Sequence, residues 1–285
     1  MSVLRPHAEE LGQSLPPLLA AAEQLAHTVM LGEHGRRRAG IGDEFWQYRA
    51  AGQGDSHRMI DWRRSARTDA HFVREREWQA AQSVTLWVDR GQSMAFSGAA
   101  DRAPKGDVAQ LLALALGVLL LRGGERVGLS GTPPRPGRAQ ILRLAEAMAE
   151  EATGEHASPD LALTPMHGRV VLISDFLGPM EGVEEAMARA SARNARGVLL
   201  QILDPVEEAF PFDGRTVFES MTGATRFETL EAGALREAYL ARLAERKARL
   251  ADLARASGWH HHTHHTGHAP QSALLWLYQA MERRV

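Results

Sequence analysis

The chain has 285 residues, 44% of them hydrophobic and 24% charged, with a formal net charge of -2. That is ample chain for a buried core, in one large domain or two modest ones, and too ordinary a composition for a disordered protein. The balance gives no global pull toward nucleic acid or anionic membrane, and the absence of cysteine excludes disulfides, cysteine-ligated zinc and a thiol nucleophile while fitting a reducing compartment.

The N-terminal MSVLRPHAEELGQ lacks the apolar core of a signal peptide. The longest apolar stretch, Val108 to Leu121, is interrupted by Gln110 and falls short of the roughly 20 residues a membrane span needs. The expectation is a soluble cytoplasmic protein with no membrane span. Ser14, followed by Leu15-Pro16-Pro17, reads as a helix start; Leu18, Leu25 and Val29 keep helical spacing, and Gly32 is the stop. From Glu33 to about Asp69 no helical or strand period is visible, and His71 to Trp78 reads as an extended strand. Arg36, Arg37, Arg38, Arg63, Arg64, Arg67, Arg74 and Arg76 crowd this region, but Asp43, Glu44, Asp55, Asp61 and Glu75 are interleaved with them. Mixed charge of this kind favours internal ion pairing over a nucleic-acid arm. Residues 1–82 are therefore read as a front module.

From Ser83 the rhythm changes to short apolar strands alternating with helices. Strands are predicted at 84–88, 126–130, 170–174 and 198–203, with a last candidate at 259–265. Helices are predicted from Pro104 to about Arg122, from Ile141 to Glu150, from Met180 to Asn194, along the Leu235 to Leu253 stripe ending at Gly258, and from Gln271 to Arg284. Such alternation implies an α/β fold, a doubly wound and mainly parallel sheet with helices on both faces, over residues 83–285. Asp89 and Asp175 each directly follow an apolar strand, which places both on the carboxyl edge where such sheets bind ligands.

Gly40-Ile41-Gly42-Asp43-Glu44-Phe45, then Gly54-Asp55, Arg58, Ile60-Asp61-Trp62, Ser65-Ala66-Arg67 and Val73-Arg74-Glu75 occur in order, before Asp89 and Gln92-Ser93-Met94. This series resembles the bacterial domain-of-unknown-function 58 family, strongly from Gly40 to Met94. The likeness is looser through Ile173-Ser174-Asp175-Phe176 and Asp204-Pro205-Val206-Glu207. The resemblance implies a von Willebrand factor A-like domain behind a short family-specific module. It also implies a partnership with AAA-type ATPases of the MoxR group, as adaptor or chaperone-like protein. Many members carry membrane helices ahead of this region, and none is read in this sequence.

A von Willebrand-type metal site uses an Asp-x-Ser-x-Ser loop, a later threonine and a second aspartate, hard oxygen ligands suited to Mg²⁺. Here the loop reads Asp89-Arg90-Gly91-Gln92-Ser93, so the first hydroxyl is missing, and Thr153-Gly154-Glu155-His156 is not the usual threonine loop. Two readings stay open: a degenerate site at Asp89, Ser93 and Asp175 holding Mg²⁺ weakly or not at all, or two aspartates that cap loops and pair with arginines. Asp89, Arg90 and Asp175 are the candidate partner-binding residues, because recognition concentrates in loops at a rigid sheet edge.

Three rival sites compete with this one. Gly91-Gln92-Ser93-Met94-Ala95 approximates a nucleophile elbow, with Asp175 and a late histidine completing a hydrolase triad in chain order. Met94 to Ala103 intervene before the helix, however, so the elbow fails in context. His260, His261, His262, His264, His265 and His268 could bind zinc or nickel, but a solvated edge strand is favoured. Gly40-x-Gly42 lacks the preceding strand and third glycine of a dinucleotide site. Gly40, Gly42, Glu44, Phe45, Gly54, Asp55, Arg58, Asp61, Trp62, Ser65, Arg67, Arg74 and Glu75 are read as structural, with the Trp62 indole buried as an anchor. The leading expectation is a non-enzymatic adaptor working with a MoxR-type ATPase on an unknown protein client. The alternatives are a serine hydrolase using Ser93 and a nucleic-acid-associated protein using the arginine segment.

Overall fold

The computed structural model describes residues 17–30, 45–51, 60–66, 72–76, 81–150 and 154–282. The chain divides into two units, one of residues 34–81 and a larger one formed by 1–33 together with 82–285. The sequence reading set the first boundary after residue 82 and placed the N-terminal helix in the front module. That placement is corrected: in helix α1 (residues 17–30) Ala22, Leu25, Ala26 and Val29 lie in the core of the larger unit. Their three- and four-residue spacing makes one apolar stripe that must be buried somewhere.

In the smaller unit, β1 (Phe45–Ala50) pairs antiparallel with β2 (Phe72–Arg76), and the short helix α2 (Trp62–Ser65) lies between them in sequence. Ser65 is the pin of this turn. Its hydroxyl donates to the Asp61 carbonyl at 2.9 Å and accepts the Phe72 N–H at 2.9 Å, while the Asp61 N–H donates to the Phe72 carbonyl. Trp62, expected to be buried, is 54% exposed.

The larger unit is a doubly wound α/β fold. Its sheet contains β3 (Ser83–Val88), β4 (Arg126–Leu129), β5 (Arg169–Ser174), β6 (Arg196–Leu203) and β9 (His260–His265), in the order β4-β3-β5-β6-β9 and parallel throughout. Strand periodicity of two divides the side chains between two cores. Val84, Leu86, Val88, Val171, Ile173, Val198 and Leu200 face a cluster with α1, α3 (Lys105–Arg122), α4 (Ala139–Met148) and α8 (Pro270–Glu282). Trp87, Val170, Leu172 and Leu199 face the other, with α5 (Glu181–Ala192) and α7 (Arg236–Ala256). Burial on both faces is why these strands read as unbroken apolar runs.

Helix α3 is apolar nearly all round because it lies inside the molecule. It stops at Gly124, whose φ of 83° suits glycine; the Glu125 and Gly124 N–H groups then return to the carbonyls of Leu120 and Leu121. Between β6 and α7 the chain makes an excursion that the sequence reading missed: α6 (Pro205–Ala209), then the hairpin of β7 (Thr216–Glu219) and β8 (Arg226–Thr229).

Candidate functional site at the carboxyl edge

From β3 the chain winds to β4 on one side and to β5, β6 and β9 on the other, so the order reverses between β3 and β5. Loops diverge at that point and leave a crevice. β3 and β5 are adjacent and parallel, with Val88 opposite Ile173, and the next residues are Asp89 and, after Ser174, Asp175. The alternation of apolar runs therefore located both aspartates correctly.

Neither aspartate is open to solvent. One Asp89 oxygen accepts the N–H groups of Gly91 at 2.8 Å and Ala157 at 3.2 Å, and the other accepts the Ser174 hydroxyl at 2.8 Å. Burial raises the Asp89 pKa above the usual carboxylate value; the Gly91 and Ser174 donors offset part of that rise, and the nearby Asp175 adds to it. Asp175 accepts the Leu177 N–H through Oδ1, and its Oδ2 is 2.7 Å from the ammonium of Lys105.

Lys105 is the residue that the sequence reading missed. It opens α3, is 1% exposed, and places Nζ 2.7 Å from Asp175 and 2.6 Å from Glu207 Oε1, with the Phe96 ring 5.5 Å away. Burial opposes its charge, but the two carboxylates more than offset that and hold its pKa above the usual lysine value. A signal was available: a cation in the first turn of an apolar helix opposes the helix dipole and calls for acidic partners.

Glu207 is fixed by a capping box. Asp204 caps α6 by accepting the Val206 N–H at 2.8 Å, while Glu207 Oε2 accepts the Asp204 N–H at 2.8 Å. Asp204 also receives Arg102 at 2.7 Å, the Gly98 N–H and the Thr266 hydroxyl. Burial pushes its pKa up, yet these donors together with Val206 hold it below the ordinary value. One polar network thus ties the loop leading into α3 to the ends of β5, β6 and β9.

Loop 154–157 closes the other side. The Gln92 and Ser93 N–H groups donate to the Gly154 and Glu155 carbonyls, the Met94 N–H donates to the Gly91 carbonyl, and the Ser93 hydroxyl lies 3.2 Å from His156 Nδ1. A Cβ on Gly91 would come within 2.5 Å of the Glu155 carbonyl oxygen and 2.7 Å of His156 Cα, so even a serine there would displace the loop. The tip of the β7–β8 hairpin is held by the same loop: Glu155 accepts the Met221 and Thr222 N–H groups and the Thr222 hydroxyl.

The Mg²⁺ arrangement that the family resemblance implies does not fit these residues. Asp89 accepts three bonds from neutral donors, Ser93 faces His156, Asp175 is paired with Lys105, and there is no room at position 91 for a hydroxyl ligand. Thr153 lies outside the described residues. The elbow reading also loses its geometry. The histidine beside Ser93 is His156 rather than a late one, Asp175 is engaged by Lys105, and the Ser93 and Met94 N–H groups needed for an oxyanion hole are bonded to carbonyls.

The candidate partner residues are corrected in the same way. Asp89 and Asp175 are buried, and Arg90 donates to the Ala147 and Glu150 carbonyls at 2.7 and 2.8 Å, closing the C-terminal end of α4. In the front motif, Gly40, Gly42, Glu44, Gly54, Asp55, Arg58 and Arg67 lie outside the described residues, as do the side chains of Phe45, Arg74 and Glu75.

The histidine tract forms the edge strand β9, as expected, but not a solvated one. His264 is 3% exposed, His262 stacks on Trp276 with centroids 4.9 Å apart, and His265 Nε2 lies 2.7 Å from Glu208. Burial lowers the His264 pKa to about 4, helped by His268, His262 and His265. Among the described residues no three His, Asp or Glu side chains are placed to hold a metal ion.

Uncharacterised proteins of Mycobacterium bovis and Mycobacterium tuberculosis are each 28% identical to this chain over 266 residues, covering 87% of it and 83% of their own length. Among solved structures, an aerotolerance-related membrane protein of Bacteroides fragilis is 15% identical with a TM-score of 0.42, covering 70% of this chain and 98% of its own. A conserved hypothetical protein, BatB, of Bacteroides thetaiotaomicron is 15% identical with a TM-score of 0.41 over the same shares. An uncharacterised membrane-spanning protein of Vibrio fischeri is 16% identical with a TM-score of 0.23, covering 72% of this chain and 100% of its own.

The cytoplasmic location expected from the sequence is withdrawn; two of these three neighbours are themselves described as membrane proteins. That expectation rested on the lack of an apolar span. No helix among the described residues is long and apolar enough to cross a membrane, but this places the chain in no compartment. The family model for DUF58, described as proteins of unknown function, matches residues 47–249, and the chain belongs to that family.

Proposed function

We propose that this chain is a non-enzymatic interaction protein whose carboxyl edge serves as a rigid platform for a MoxR-type AAA ATPase. The observation that carries the non-enzymatic reading is the mutual satisfaction of the polar groups at the switch point. Asp89, Asp175, Lys105, Glu207 and Asp204 are buried or nearly so, and each is bonded to other groups of the network. General acid–base work needs a titrating group that substrate can reach. This network offers support instead.

The contact surface in this reading is the β7–β8 hairpin. Val217, Met221, Phe227 and Leu230 are among its exposed side chains, and its tip is anchored to loop 154–157 through Glu155. Exposed apolar residues on a tethered hairpin are suited to a protein partner. The partner class itself comes from the family resemblance of the Gly40–Met94 series. The test is a pull-down of the purified ATPase, with and without nucleotide, by wild type and by a Phe227→Ser/Leu230→Ser variant. Retention by wild type and loss in the variant, with unchanged melting temperature, is the expected result. No retention in either nucleotide state, or equal retention by both proteins, sinks the proposal.

The 3.2 Å contact between Ser93 and His156 is the one feature favouring a serine hydrolase. Fluorophosphonate labelling of Ser93 at one equivalent would replace the adaptor reading with that one.

A further inference from the structure

Two carboxylates at the switch point, those of Asp175 and Glu207, are buried or nearly so and need a neutralising charge. Asp175 and Glu207 converge on a single point, and that point is Lys105 Nζ, at 2.7 and 2.6 Å. The lysine reaches it from the first turn of α3, with its side chain 1% exposed. Asp204 has its own cation in Arg102, and Asp89 is held by three neutral donors.

We propose that Lys105 is the resident cation of this crevice, its ammonium standing between Asp175 and Glu207 where a divalent ion would otherwise be required. The carboxyl edge is thereby assembled without metal. If the adaptor reading above is right, on which this last step rests, the partner is met by direct contacts rather than through a shared metal ion, and recognition is insensitive to chelators. The reasons are geometric and electrostatic. A divalent ion close to Nζ would face a like charge, and the lysine itself fills the space between the two carboxylates that the near-octahedral oxygen shell of Mg²⁺ would need. A fixed ammonium needs no such shell, because two of its N–H donors meet the carboxylates directly.

The test uses the protein alone, so that a failed pull-down cannot be confused with failure of this proposal. Chelator-treated wild type, Lys105→Ala and Asp175→Asn are titrated with Mn²⁺, free ion being followed by electron paramagnetic resonance, and melting temperatures are compared in EDTA and in millimolar Mg²⁺. The expected result is that wild type leaves Mn²⁺ free and melts identically in both buffers. Lys105→Ala, its two carboxylates exposed to the emptied space, takes up a single Mn²⁺ and is stabilised by it. Micromolar Mn²⁺ binding by wild type that disappears in Asp175→Asn overturns the proposal, as does a folded Lys105→Ala that binds no metal. Should Lys105→Ala not fold, the comparison of wild type with Asp175→Asn decides the matter alone.

Discussion

Lys105 Nζ and Asp175 Oδ2 lie 2.7 Å apart, both side chains 1% exposed, although the residues are 70 positions apart in the chain. The pair joins the start of the central buried helix to the end of a central strand. Breaking a buried ion pair strands the surviving charge, which costs about 3–5 kcal/mol. Lys105→Met should lower the unfolding free energy by that order in urea titrations. The double variant Lys105→Met/Asp175→Asn should lose less than the sum of the single ones, by roughly 0.5–3 kcal/mol, because the partners are coupled. Strict additivity would show that the pair is not coupled.

Asp204→Ala should also act on stability. It removes the cap of α6 and leaves Arg102, the Gly98 N–H and the Thr266 hydroxyl without their acceptor. Loss of a cap costs about 1 kcal/mol by itself, and stranding buried donors adds about 1–3 kcal/mol. Asp204→Asn, which keeps an acceptor oxygen, should recover part of the loss. Chemical denaturation of the two variants compares them directly.

Arg90→Glu should destabilise the end of α4 rather than act selectively on a partner. The guanidinium donates to two carbonyls there, and a carboxylate would face those carbonyls instead. A loss of about 1–2 kcal/mol is expected, with faster amide exchange confined to the last turn of α4 and loop 149–150. Unchanged exchange in that turn would return Arg90 to the list of surface contact residues.

The buried His264 makes stability depend on pH. Its folded pKa, about 4, lies below the ordinary 6.5, so the unfolded chain binds the proton more readily. Stability is fully present above pH 6.5 and falls progressively as pH drops toward 4. The difference of about 2.5 pH units corresponds to at most about 3.5 kcal/mol for this group. His264→Phe should flatten the pH 6.5–4 part of the curve relative to wild type. An unchanged slope would assign it to other groups.

The sequence alone determined the larger unit's sheet. Val84–Val88, Val170–Ser174 and Val198–Leu203 are apolar on both faces, which only a strand covered on both sides tolerates, and the intervening helices force parallel pairing. That logic located Asp89 and Asp175 on one edge. It could not see β7–β8, whose strands are only four residues long and largely exposed, nor that α1 joins the larger unit's core. What tertiary structure decided was the meaning of the aspartates. Lys105 lies 70 positions from its partner Asp175, and Ala157 and Ser174 lie 68 and 85 positions from Asp89, whose carboxylate they bond; Coulomb attraction and hydrogen bonding act through space rather than along the chain. A crevice that reads as a degenerate cation site holds, once folded, the Lys105 ammonium between Asp175 and Glu207.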